Sequence, residues 1–176
     1  MINMLTAVVF LLGAAASSPR LPNACQLLTA RDIARVQGQE FKSVKLTESE
    51  ANGVTVSQCF YTLPSFTSSV SVDVMRGKTK AFWSGHFSTA REIADRDEDR
   101  DRSPKAASRQ AEEHESSALK VKGVGDAAVW SGNRAAGALY VLKGDTIVRV
   151  SVGGGGSQEE KIERSKKLAA RALRKL

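Results

Sequence analysis

Two histidines, His86 and His114, are the side chains in this sequence best suited to acid–base chemistry. Hydrolysis by an activated serine needs such a base beside the nucleophile, and the sequence contains no G-x-S-x-G motif. His86 lies in a predicted helix and His114 in a strongly charged segment, and no residue near either suggests an assembled base. The sequence therefore predicts no catalytic residue and a protein that is not an enzyme.

Acidic residues are the next candidates, because carboxylates bind metal ions. Residues 112–115 read Glu-Glu-His-Glu, but adjacent helical residues point in different directions, so we expect a solvated cluster and no zinc site. Aspartates alternate from 95 to 101 as calcium-loop ligands do, yet Arg100 and Ala106 stand where an EF-hand needs Gly and Glu. We expect no metal and no cofactor, and leave open whether segment 95–117 binds calcium.

The remaining chemistry lies in two cysteines, Cys25 and Cys59, which follow an apolar N-terminal stretch. Residues 5–16 carry no charge, have the length of a signal-peptide core, and end in three alanines typical of a cleavage site. We predict a signal peptide at 1–16, although cleavage after Ser18 is nearly as plausible; the alternative is a buried N-terminal helix of a cytoplasmic protein. Export to an oxidising compartment favours one disulfide, stabilising the fold by roughly 4 kcal/mol.

Lipid attachment at Cys25 is not expected. A lipobox needs a small or apolar residue three positions earlier, directly after the apolar core, and that position holds Pro22. We therefore predict an exported protein, periplasmic or extracellular, without a lipid anchor. Residues 17–24 form a linker, and 25–176 form a single domain.

The C-terminal segment is rich in cations, and the net charge of the chain is +7. Ser157 and Glu160 form a capping box that starts an amphipathic helix there. Lys166, Lys167, Arg171 and Arg174 on this helix could bind an anionic lipid or polymer. The alternative is a helix that docks on the sheet by its apolar side, with these charges solvated.

The order of predicted elements indicates an α+β fold. Thr29 and Asp32 form a capping box for a helix over 30–37, and Thr79 is expected to cap a second helix that reaches Ile93. Alternating residues predict strands at 41–46, 54–63, 69–75, 125–130, 138–143 and 146–152. The expected order is α-βββ-α-βββ-α, an antiparallel sheet covered by helices, with a charged mobile segment at 95–117 and a flexible hinge at 153–156.

Three short motifs in this chain resemble a group of small secreted bacterial domains of unknown function. The motifs are Ala24-Cys25-Gln26-Leu27-Leu28-Thr29, Cys59-Phe60-Tyr61 and Gly123-Val124-Gly125-Asp126-Ala127-Ala128, which match the pattern ACxLLT…CxY…GxGDxA. The resemblance implies a PsbP-like α+β fold, a Cys25–Cys59 disulfide, export, and no catalytic residue. The chain departs from the group in its glycine run, its 95–117 segment and its lack of a lipobox.

These features predict an exported, non-catalytic binding or interaction module of the cell envelope. The sequence does not choose among an envelope protein, an anionic lipid and a cell-wall polymer as partner. Nucleic acid is not expected, because no recognition motif or aromatic platform is present. The alternatives are a peripheral binder of membranes or anionic polymers that acts through the C-terminal helix, and an enzyme of unrecognised type.

Overall fold

The computed structural model describes residues 21–92, 118–133 and 135–176. The elements are α1 Ala30–Gln37, β1 Ser43–Ala51, β2 Val54–Thr62, β3 Val70–Gly77, α2 Thr79–Phe87, β4 Arg91–Glu92, β5 Leu119–Lys120, β6 Ala127–Gly132, β7 Gly137–Lys143, β8 Thr146–Val152 and α3 Gln158–Leu173, with 3-10 turns at Ala24–Gln26 and Phe66–Ser68. The strands form one sheet in the order β1-β2-β3-β8-β7-β6-β5-β4, in which every neighbouring pair is antiparallel except β4 and β5.

The α+β class, the antiparallel sheet and the disulfide are confirmed, but the predicted order α-βββ-α-βββ-α is two strands short. The missing strands, β4 and β5, have two residues each, too few to produce a periodic pattern in a sequence. The predicted signal peptide, residues 17–20 of the linker and the charged 95–117 segment lie outside the described residues.

The second helix also differs from its prediction. It ends at Phe87, and Ile93 lies outside the described residues. Thr79 does not cap it: the Thr79 hydroxyl is buried and donates to the Asp145 carbonyl, 2.7 Å away. The cap position belongs to Lys78, whose side chain makes no capping bond.

One face of the sheet, called here the helix face, packs against α1 and α3. Successive strand residues point to opposite faces, so each strand contributes alternate apolar side chains to this side. Ile33 of α1 and Leu168 of α3 are both fully buried there. The strand residues of this core are Cys59, Tyr61, Val70, Val72, Val74, Ala128, Trp130, Leu139, Val141, Val148, Val150 and Val152. Burial raises the pKa of Tyr61 to about 12.

The opposite face, called here the second face, is covered in part by α2. Phe82 of α2 packs near Met75 and Ile147, and the Phe87 ring lies 4.9 Å from the Tyr140 ring. The aromatic side chains of this helix therefore cover part of the sheet.

The disulfide joins the N-terminal 3-10 turn to the middle of β2. Cys25 and Cys59 are bonded with their Cα atoms 4.9 Å apart, and Cys59 is fully buried. The Tyr61 hydroxyl donates to the Ala24 carbonyl, 3.3 Å away, beside the bond. The cross-link thus fixes the segment before α1 onto the helix face.

The prediction of a flexible hinge at 153–156 is wrong. The N–H of Gly153 donates to the Ser69 carbonyl, and that of Gly154 to the Thr67 carbonyl. A Cβ on Gly153 would clash with the Thr67 carbonyl oxygen. Glycine is needed here because two backbones approach too closely for any side chain, and not because the chain must bend freely.

Candidate anion-binding surface

The position of α3 decides which of its cations face solvent. Its capping box forms as predicted: Ser157 accepts from the Glu160 N–H, and Glu160 accepts from the Ser157 N–H. The apolar stripe is then buried on the helix face through Ile162, Leu168 and Ala172. The charged residues between these positions are therefore directed along the sides and outward.

Two of the four predicted binding residues, Lys167 and Arg174, are exposed. Lys166 and Arg171 are each partly buried and engaged: Lys166 lies 3.8 Å from Glu163, and Arg171 pairs with Asp32 of α1. Residues 167, 171 and 174 follow helical spacing and share one side of α3, whereas residue 166 is turned about 100° away. The structure therefore brings three of the four together and separates Lys166.

The pair between Arg171 and Asp32 also places α1 beside α3. Arg164, two turns earlier on α3, donates to Gln37 at the end of α1 at 3.0 Å. Asp32 precedes Gln37 and Arg171 follows Arg164, so the two helices run antiparallel. Two short helices thus form one layer on the sheet.

The carboxylate of Asp32 is held ionised by its contacts. Burial would raise its pKa, but hydrogen bonds from the backbone N–H and hydroxyl of Thr29 and from Arg171 outweigh burial and lower the pKa to about 2. The same carboxylate closes the α1 capping box. Asp32 therefore neutralises Arg171 at neutral pH, and Arg171 adds less to the outward potential than the unpaired cations around it.

Arg31 and Arg35 of α1 add two cations that the sequence did not identify as binding residues. Both are exposed, and helical spacing puts them on the side of α1 opposite the buried Ile33. The packing of α1 against α3 places them in the same helix layer as Lys167 and Arg174, so a linear pattern carries no signal for the combined set. We call this set the basic helix surface; its members are Arg31, Arg35, Lys167, Arg171 and Arg174.

Acidic residues on α3 are confined to its first turns. Glu159 and Glu160 lie in the first turn and Glu163 follows in the second, whereas the basic helix surface occupies the C-terminal half. The shallow depression beside the first turns is lined by both signs of charge, Glu160 and Glu163 together with Arg164 and Lys167. Lys167 therefore borders on acidic residues at this end of the basic helix surface. The C-terminal half of α3 therefore carries basic residues and no acidic ones.

A second polar cluster lies on the second face of the sheet. Arg149 donates to Asp73 at 2.9 Å and to the Tyr140 hydroxyl at 3.2 Å, while Gln58 and Ser71 donate to the other carboxylate oxygen of Asp73. Burial would lower the pKa of Arg149, but the charge of Asp73 and the Tyr140 hydroxyl outweigh it and raise the pKa above its ordinary value. The carboxylate is fully satisfied by protein donors, which identifies an internal ion pair that supports the sheet.

His86 lies on the exposed side of α2. Its ring stacks on Phe82 with centroids 4.0 Å apart, and its Nδ1 is 2.8 Å from the Phe82 carbonyl oxygen. Within residues 21–92, 118–133 and 135–176, no three His, Cys, Asp or Glu side chains are grouped to hold a metal ion. His114 and both acidic metal candidates, at 95–101 and 112–115, lie outside that part of the chain.

No helix in the described part of the chain is both long and apolar enough to cross a membrane. Comparisons with protein-family models, with curated proteins and with solved structures find no match to this chain.

Proposed function

We propose that this protein is an exported, non-catalytic binding module of the cell envelope that attaches to phosphate-bearing anionic surfaces through its basic helix surface. The observation that carries the proposal is the packing of α1 beside α3. It puts Arg31, Arg35, Lys167 and Arg174 on the solvent side of one helix layer, where Asp32 is used by Arg171 and Glu163 lies one turn before Lys167.

Export is supported by the disulfide together with the apolar segment at 5–16. Disulfides persist in oxidising compartments and are rare in the cytosol of mesophiles. The resemblance to small secreted bacterial domains with a PsbP-like fold supports the same location and belongs to the proposal.

The expected mode of binding is electrostatic and peripheral. The apolar side of α3 is buried against the sheet, so the helix cannot place that side in a lipid bilayer while the domain stays folded. Each Lys or Arg near an anionic membrane surface contributes about 1 kcal/mol, and the effect decays within a Debye length of about 8 Å at physiological salt. Binding by this surface should therefore weaken steeply as salt rises.

Co-sedimentation of the mature protein with vesicles tests this function. We expect binding to vesicles that contain phosphatidylglycerol, no binding to pure phosphatidylcholine, and release by about 0.5 M salt, where the Debye length falls to about 4 Å. A parallel titration with soluble polyphosphate distinguishes a polymer from a lipid as the source of phosphate. A protein that binds neither anionic vesicles nor polyphosphate at low salt would contradict the proposal.

Two variants of equal charge isolate the surface. In the test variant Arg31, Arg35, Lys167 and Arg174 are replaced by Gln, and Arg171 is kept because it pairs with Asp32. In the control variant four exposed lysines elsewhere, Lys78, Lys80, Lys120 and Lys143, are replaced by Gln. The test variant should lose binding while the control retains most of it; equal losses would indicate that only net charge matters.

A further inference from the structure

The strand β1 forms a long open edge of the sheet. It pairs with β2 along its full length, from Ser43 opposite Thr62 to Ala51 opposite Val54, and it is the terminal strand in the sheet order. All nine of its residues are exposed. An edge of this length presents a row of backbone N–H and C=O groups that another strand can pair with.

Two apolar side chains on this edge are exposed on the helix face. Val44 is 45% exposed and Leu46 is 40% exposed, and their partners across β2 are Tyr61 and Cys59. Cys59 and Tyr61 belong to the buried core, so Val44 and Leu46 continue that core to the open edge. A strand added beside β1 would cover both.

Charged residues on β1 restrict which strand can be added. Lys45, Glu48 and Glu50 lie on the edge strand, and Lys42 directly precedes it. Like charges placed opposite each other across two strands are destabilising, whereas opposite charges stabilise the pairing. A partner strand must therefore place acidic residues opposite the lysines of β1 and basic residues opposite its glutamates, whether it runs antiparallel or parallel.

The segment from Lys42 to Glu50 is complementary to itself. In an antiparallel pair of two copies centred on Leu46, the two Leu46 side chains face each other, and each Lys42 faces the partner's Glu50. A pair centred on Lys45 would place two lysines opposite each other, and one centred on Thr47 would place both Val44 and Leu46 opposite glutamates and pair no lysine with a glutamate. The Leu46 register also places Val44 opposite the partner's Glu48, but it pairs Lys42 with Glu50 and keeps Leu46 against Leu46. The Leu46 register alone combines an apolar centre with opposite charges at its ends.

We propose that the partner of β1 is a second copy of this chain, paired antiparallel about Leu46, so that two sheets join into one. The two-fold axis of this pair is perpendicular to the sheet, since antiparallel pairing keeps each side chain on its own face. The α1–α3 layers of both copies then lie on the same side of the joined sheet.

The β1 pairing is independent of the proposed function, but one effect of the pairing rests on that function. With both basic helix surfaces on one side, two copies can contact the same anionic surface together. Bivalent contact raises apparent affinity without any new contact in either copy.

Analytical ultracentrifugation of the mature protein, from about 1 μM to about 300 μM, tests the pairing across the range where a weak dimer forms. We expect the wild type to dimerise. L46K places two cations opposite each other at the axis and should weaken the dimer at least about tenfold. F66K is the matched control, because Phe66 is 70% exposed but lies in the turn between β2 and β3; it should dimerise as the wild type does.

A charge exchange tests the register. K42E and E50K should each weaken the dimer, because each puts like charges opposite each other, and the variant that carries both should regain it. A wild type that stays monomeric throughout, or a dimer insensitive to L46K, would overturn the proposal. Dimerisation without binding to anionic vesicles or to polyphosphate would instead contradict only the proposed function.

Discussion

Two ion pairs connect residues that are distant in the sequence, and they differ in how deeply their acidic side chains are buried. Asp73 and Arg149 lie on adjacent strands, with side chains 5% and 27% exposed. Asp32 and Arg171 join two helices, with side chains 15% and 25% exposed. Both pairs are contacts within the fold. Their loss should change the stability of the protein in different ways.

Replacing Asp73 alone should destabilise the protein strongly. Asp73→Leu leaves the Arg149 guanidinium mostly buried without its counter-charge, and breaking a buried pair in this way costs about 3 kcal/mol. Urea denaturation of the wild type and the variant measures the difference in free energy of unfolding.

The double variant is the control for that substitution. Adding Arg149→Met to Asp73→Leu removes the unpaired charge, and apolar residues of similar volume replace buried ion pairs at little cost. More than half of the lost stability should return. A double variant less stable than Asp73→Leu alone would show that the packing of Arg149 on Tyr140, and not its charge, is what matters.

The lowered pKa of Asp32 predicts that the stability of the protein depends on pH in the acid range. Its pKa is lowered from 3.8 to about 2 in the folded protein, so the folded state binds this proton less readily than the unfolded chain. The contribution of Asp32 to stability is therefore complete above the unfolded value and is lost as the pH falls through 3.8 toward 2. Asp32→Asn should flatten the acid part of the stability profile in that window.

Thermal unfolding measured between pH 6 and pH 2 checks this prediction. Glu48→Gln on the exposed strand β1 is the matched control for the loss of one carboxylate. If Asp32→Asn loses stability equally at every pH, Asp32 acts by its hydrogen bonds to Thr29 and not by its charge.

The connection between β8 and α3, residues 153–156, differs most from its sequence-based prediction. Four consecutive glycines usually indicate a flexible linker. Here the first of them packs against the carbonyls of Thr67 and Ser69, and Gln37 of α1 donates to the Gly153 carbonyl. Arg164 donates to the Gly155 carbonyl from α3. The run is therefore a fixed contact that sets where α3 begins.

Gly153→Ala should destabilise the protein by about 1–3 kcal/mol, the usual cost of forcing an extra group into a packed site. The added methyl would meet backbone, which cannot turn away as a side chain could. Gly155→Ala is a matched control in the same run, because nothing lies within 4 Å of its added Cβ. Equal stability of the two variants in urea denaturation would restore the interpretation of a flexible linker.

For the molecule as a whole, the disulfide is the constraint that links the N-terminal segment to the sheet. It closes a loop that contains α1, β1 and part of β2, with a sequence separation of 34. In the chain-entropy model, such a loop restricts the unfolded chain enough to stabilise the fold by about 4 kcal/mol. That is a large share of a typical domain stability of about 5–15 kcal/mol.

Reduction should therefore lower the urea midpoint of the wild type markedly. The variant with both Cys25 and Cys59 replaced by Ala supplies the control, because reductant should have no effect on it. Equal midpoints of the wild type with and without reductant would show that the unfolded chain is already compact around the cross-link.

Local patterns were enough for the elements whose ends are defined by side chains or by alternation. The helix over 30–37 and the strand over 146–152 were predicted with the observed bounds, and both capping boxes form. The first strand was predicted at 41–46, but β1 runs over Ser43–Ala51. Its second half is exposed on both faces, so no apolar alternation marks it; the Asn52-Gly53 turn that follows was the available signal.

Residue types and their spacing within single segments are enough to predict the α+β class, the candidate disulfide and the amphipathic α3. The packing of helices and strands is needed to place Arg31 and Arg35 in one layer with Lys167 and Arg174, to pair Asp32 with Arg171, and to press Gly153 against the backbone of Thr67 and Ser69. These contacts join residues far apart in the chain, as in the separation of 139 between Asp32 and Arg171. Their energies arise from helices and strands packed together, which no local pattern encodes.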